Sequence, residues 1–199
     1  MGATSAESLW NSGDAAQWQR ALDSYSSVID RQGVAPLPAL DTWVRDELPA
    51  TIAYRRLAHV TRDELVRVTE WKMHRGVWRA PNLVRVKSND AELVMQTTVR
   101  AFALSPHPTK PVGEIATLDG VGPATASAVL AAYQPAMYPF FDERVAAEVP
   151  GLGAVKWTLG YYGKYAERLR ERASELGAGW TAVMVERAVW AGVGGKAGV

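Results

Sequence analysis

Apolar residues recur along most of the chain at the spacing of one helical face. Trp18, Leu22, Tyr25 and Ile29 follow one another at steps of four, three and four residues, which predicts a single amphipathic helix. Gly33, Pro36 and Pro38 end that pattern. A second helix is predicted from Asp41 to Leu48, stopping near Pro49, and another from Ile52 to His59. Thr61 followed by Glu64 has the form of a capping box, so a helix should open there, run to about Arg75 and stop at Gly76. Pro81 suits the first turn of a short helix ending near Ser88, and Asn89 stands three positions before Glu92 as a second cap signal. Ala91, Val94, Met95, Thr98 and Phe102 then share one side of a helix that the prolines at 106, 108 and 111 close off. Nearer the C-terminus, Tyr162, Tyr165, Ala166, Leu169, Ala173 and Leu176 form another apolar face, and Thr181 is placed to cap a last helix through Trp190.

Strand alternation is weak throughout, and no repeat of fixed period is present. The expectation is an all-α fold of eight to ten helices, a two-lobed helical bundle sharing one core over residues 1–190. The glycine-rich end, 191–199, is expected to be a flexible tail.

Composition narrows the chemistry. The chain has 199 residues and no cysteine, which excludes disulfides, thiolate metal sites, iron–sulfur clusters and cysteine nucleophiles. His59, His74 and His107 show no metal-ligand spacing. No apolar run is long enough to span a bilayer, and the first residues lack the pattern of a secretory signal. An intracellular monomer is expected. With 22 basic and 21 acidic residues the net charge is +1, so any nucleic-acid binding must rest on local charge and backbone amides.

One segment concentrates candidate chemistry. Between a short helix from Pro111 and a slim helix carrying Ala126, Val129, Leu130 and Tyr133 lie Gly120-Val121-Gly122, with Pro123 at the first helical position. This helical hairpin spans 111–133. A helix start exposes unpaired amides and a partial positive charge, and glycines let an anion come close. The turn can thus hold a phosphate without a lysine, although an ordinary αα-hairpin uses the same glycines. Downstream, Asp142 follows an extended Tyr-Pro-Phe-Phe stretch and precedes a short helical pattern, where aspartate is an effective N-cap.

This segment resembles the helix-hairpin-helix and catalytic loop of the HhH-GPD superfamily of base-excision DNA glycosylases, in the compact endonuclease III-like form. The resemblance rests on Gly120-Val121-Gly122, Thr125-Ala126, the 22-residue interval from Gly120 to Asp142, and Val145; it covers about 30 residues. It implies duplex DNA as partner and a base flipped out between the lobes. It also implies hairpin contacts from Gly120, Val121, Gly122, Pro123, Ala124 and Thr125. Asp142 would stabilise the sugar cation or activate water while also capping its helix. Bifunctional members carry a lysine at the position of Ala124, so no Schiff-base lyase activity is expected. Glu143-Arg144 also depart from the family's pair after the aspartate. No cofactor is expected, with room left for a monovalent cation at the hairpin. A DNA-repair role would put the protein in the nucleus or nucleoid. The alternative is a non-catalytic module that keeps the fold for DNA or protein contact.

Other residues extend the reading. No acidic residue interrupts Lys72 to Lys87, and Arg75 and Arg79 are expected to face DNA. Trp71 and Trp78 are expected in the core. Trp157, Tyr161 and Tyr162 suit either a base pocket or the core. Lys156 is a remote alternative amine, and Glu186 is expected as a half-exposed helical charge.

Overall fold

The computed structural model describes residues 8–199, and among them every regular element is helical. The helices are α1 (Ala15–Asp23), α2 (Tyr25–Arg31), α3 (Leu37–Thr42), α4 (Leu48–Tyr54), α5 (Arg62–Arg75) and α6 (Ala80–Ser88). They continue with α7 (Ala91–Ala103), α8 (Lys110–Ile115), α9 (Pro123–Tyr133), α10 (Glu143–Glu148), α11 (Leu159–Leu176) and α12 (Ala182–Gly192). There are more helices than expected, because the chain breaks where periodicity alone runs on. The face from Trp18 to Ile29 is divided at Ser24, whose hydroxyl donates to the Ala21 carbonyl and competes with the helical ladder.

Prolines behave differently from the expectation around Pro49. The helical path does not stop there. A π-helical turn at Trp43–Glu47 joins α3 to α4, and Pro49 falls in the first turn of α4, directly after the wider π turn. The path ends at Tyr54, short of His59, with Arg55 extended. Arg55 turns back to clamp Glu64, with N···O distances of 2.8 and 2.7 Å. Glu64 in turn accepts from the Thr61 amide at 2.8 Å, and the capping box is complete. The caps at Thr181 and Asp142 also form as the sequence predicts.

Two groups of helices meet through one apolar cluster. In one, α12 packs against α1, α2, α10 and α11. In the other, α5 packs against α3, α6, α7 and α9, with α8 laid on both α7 and α9. Trp18, Trp190, Tyr162, Tyr165 and Phe141 are fully buried in the shared core. Of the two tryptophans flanking Arg75, Trp71 is buried as expected, whereas Trp78 is 47% exposed beside His74.

The glycine-rich end is docked and not a free tail. Gly194, Gly195 and Gly198 take positive φ and turn the chain back. Gln32 then donates to the Gly194 carbonyl and accepts from the Ala197 amide, while Arg144 donates to the Lys196 carbonyl at 2.9 Å. No helix among the described residues is long and apolar enough to cross a membrane.

Candidate functional site

The turn between α8 and α9 is built by close approach. Gly120 has φ +75°, and a Cβ there would lie 2.6 Å from the Asn82 carbonyl oxygen and 2.9 Å from the Val86 amide. Its glycine is therefore demanded by the seating of the turn on α6. Asn89 ties the same turn down, accepting from the Asp119 amide and donating to the Asp119 carbonyl, both at 2.9 Å. Sequence reasoning took Asn89 as a helix cap; Asp90 caps α7 instead, accepting from the Leu93 amide. Gly122 differs from Gly120. Its backbone is extended, a Cβ there would meet nothing within 4 Å, and no side chain caps the start of α9.

Asp142 is presented by the extended stretch Tyr138–Phe141, which is held from two sides. The Phe141 amide donates to Ser127 Oγ of α9 at 2.9 Å. From α11, the Tyr165 hydroxyl donates to the Phe140 carbonyl at 2.7 Å and the Tyr162 hydroxyl to the Pro139 carbonyl at 3.3 Å. Asp142 is 7% exposed. Its Oδ1 accepts from the Arg144 and Val145 amides at 2.8 and 3.4 Å, which caps α10. Its Oδ2 faces Arg75 Nε at 3.6 Å.

These parts line one cleft of about 710 Å³. Gly120, Gly122, Pro123, Ala124 and Thr125 form one wall, with Phe140, Phe141 and Asp142 opposite the end of α5. Lys72, Arg79, Arg144 and Lys196 add positive charge, and Glu143 is the other carboxylate. Burial, then the charge of Arg79, lowers the pKa of the Lys72 ammonium. Trp157 stands at the rim, half exposed, 4.8 Å from the Phe141 ring. Tyr161 stacks on the same Phe141 ring at 5.7 Å, and Tyr162 belongs wholly to the core. Lys156 does not line this cleft.

Two expected contacts and one expected surface charge are corrected. Val121 is not at the surface of the turn: its side chain is buried and its amide donates to the Leu118 carbonyl at 3.1 Å. Arg75 lines the floor of the cleft but is only 1% exposed, enclosed by the rings of Tyr25, Trp71, Phe140 and Trp190. Its guanidinium is committed inward, pairing through Nη2 with Glu186 Oε1. Glu186 is likewise 1% exposed and not a half-exposed surface charge. Neither residue is legible from local pattern, since 111 positions separate them. Arg79, by contrast, is exposed at the cleft.

Burial raises the Glu186 carboxyl to about 7, the Arg75 charge opposes this, and the Asp142 charge adds to it. The Arg75 guanidinium is held even more firmly protonated than usual: burial opposes its charge, and the neighbouring Glu186, Tyr25 and Asp142 outweigh that. In comparisons with known proteins, no family model, no curated protein and no solved structure matches this chain.

Proposed function

We propose that the protein binds duplex DNA through the α8–α9 turn and cleaves the N-glycosidic bond of a damaged base with Asp142. The observation that supports this is the convergence of an uncapped helix start, a buried carboxylate and, beside the inward-paired Arg75, four basic side chains in one cleft. The amides at the start of α9 and the open face of Gly122 suit a backbone phosphate. Lys72, Arg79, Arg144 and Lys196 supply the positive potential that a near-neutral chain lacks overall.

In the proposed reaction the C1′–N bond lengthens and its electron pair leaves with the base. Positive charge builds on the sugar, and the Asp142 carboxylate opposes it. A water then adds at C1′, and the proton it gives up passes to the Asp142 carboxylate and ends on the departed base. Ala124 places a methyl group where bifunctional relatives of the resembled superfamily have an amine, so base release is not followed by imine formation at that position.

A second reading has its own observation. Asp142 already has two amides on Oδ1 and a cation beside Oδ2, which accounts for it as a cap with a counter-ion. On that reading the protein grips DNA without chemistry. One experiment decides between them. Wild type and Asp142→Asn are assayed for salt-dependent binding to a duplex with an abasic-site analogue, and for base release from duplexes with deaminated, oxidised and alkylated bases. Release lost in the variant with binding kept supports the glycosylase. Binding without release in either protein supports the non-catalytic module, and absence of binding sinks both.

A further inference from the structure

Arg75 is the most costly residue in the molecule to have buried. A guanidinium taken out of water needs its charge and its five donors answered. Two of its nitrogens are answered on the inner side: Nη2 by Glu186, and Nη1, at 3.5 Å, by Glu186 Oε2 and the Tyr25 hydroxyl. Nε is not. It is buried with no hydrogen-bond partner, and the nearest anion is Asp142 Oδ2 at 3.6 Å. Four aromatic rings hold the guanidinium at 4.4 to 5.7 Å and leave it no other direction. One buried cation therefore stands between two carboxylates, and only Asp142 of the pair lines the cleft.

We propose that Arg75 and Glu186 are positioning residues for Asp142: Glu186 anchors the guanidinium so that its free Nε faces Asp142 Oδ2, and the charge on Glu186 sets how far Arg75 neutralises Asp142. This rests on the reading that Asp142 opposes a sugar cation in the cleft. With Glu186 ionised, the cation is shared and the three-residue cluster carries one net negative charge. With Glu186 protonated, Arg75 serves Asp142 alone and the cluster is neutral. A cation in the cleft is then held less tightly.

The other groups around Glu186 do not change charge in this range. Tyr25 from α2 and Tyr165 from α11 are driven well above the usual phenol value, mainly by burial, and stay neutral. The charge of Arg187, on the same helix, acts on Glu186 to lower its carboxyl, as Arg75 does. Glu186 is thus the group able to alter the cluster between pH 6 and 8, its carboxyl lying at about 7.

The test needs no knowledge of the damaged base. Two duplexes are compared, one with a neutral tetrahydrofuran abasic analogue and one with a cationic pyrrolidine analogue whose nitrogen marks the site of developing charge. The ratio of their dissociation constants reads the charge that Asp142 presents. Wild type should prefer the cation by roughly tenfold at pH 8 and several-fold less at pH 6. Glu186→Gln should lose this pH dependence and stay at the low ratio, and Arg75→Lys should retain it in weakened form. Asp142→Asn should abolish the preference altogether. Should Glu186→Gln not fold, Glu186→Asp and the pH series on wild type carry the same test. A cation preference that does not change between pH 6 and 8, or that changes equally in Glu186→Gln, overturns this inference and leaves the catalytic reading standing. No preference for the cation in wild type overturns both.

Discussion

Asn89 and Asp119 form a reciprocal pair: the Asn89 side-chain oxygen accepts from the Asp119 amide, and its nitrogen donates to the Asp119 carbonyl, each at 2.9 Å. The same nitrogen also reaches the carbonyls of Arg85 and Val86. One side chain thus locks the hairpin turn to the end of α6. Asn89→Ala should cost about 1 kcal/mol, because it leaves two backbone groups of a part-buried turn without their side-chain partner. Asn89→Asp should be no better, although it is nearly the same size. It keeps the acceptor but turns a carboxylate oxygen toward three carbonyls. Urea unfolding of both variants checks this; an Asp variant as stable as wild type would mean that the clamp is not what holds the turn.

The two glycines of the turn should separate stability from binding. At Gly120 a methyl group would overlap α6 and require a left-handed backbone, itself costing roughly 1–2 kcal/mol before the clash is counted. Gly120→Ala should therefore be clearly destabilised. At Gly122 the backbone is extended and the added methyl meets nothing, so stability should change by no more than about 0.5 kcal/mol. That methyl nevertheless stands on the proposed phosphate face. Gly122→Ala should weaken DNA binding while melting with the wild type. Equal effects of the two substitutions on both properties would remove the turn from the interface.

What the sequence conveyed about this fold was its local part. The Thr61–Glu64 box, the Asp142 cap and the Pro123 helix start each lie within four residues of their partners, and all formed as read. The extended segment before Asp142 was legible as a break in helical pattern, but not the Ser127, Tyr162 and Tyr165 contacts that hold it. Glu186 was misread for a plain reason. Apolar neighbours on both sides are as compatible with a helix edge as with a core, and the cation that makes burial tolerable lies on another helix. The Gly-rich end was misread for another reason: glycine lowers the tendency to order, but here Gln32 and Arg144 supply the bonds that fix it.

Asp142 carries a structural task whatever its chemistry, and two substitutions should divide the tasks. Asparagine is about as good an N-cap as aspartate, so Asp142→Asn should keep the two amide bonds to Oδ1. Alanine loses them, at a cost of about 1 kcal/mol, and deprives Arg75 of one of its two anions as well. Asp142→Ala should therefore melt lower than Asp142→Asn, with thermal unfolding as the measure. If both melt alike and below wild type, the negative charge, and not the cap, is what α10 requires.

Glu186 should leave a mark on the pH dependence of stability. In the unfolded chain its carboxyl titrates near 4.5; in the folded protein it titrates at about 7. Between these values the folded state holds a proton that the unfolded state has released. Stability contributed by this group is therefore fully present below pH 4.5, falls as pH rises toward 7, and is level above it. The span corresponds to about 3 kcal/mol. Glu186→Gln removes the titrating group. It holds the site neutral at every pH, so it should come closest to wild type near pH 5, where the folded carboxyl is itself protonated, and the decline between pH 5 and 7 should flatten relative to wild type. Unfolding free energies in urea at pH 5, 6, 7 and 8 measure both curves. Parallel curves would mean that Glu186 remains ionised beside Arg75 across the whole range, with the ion pair outweighing the burial that drives its carboxyl upward.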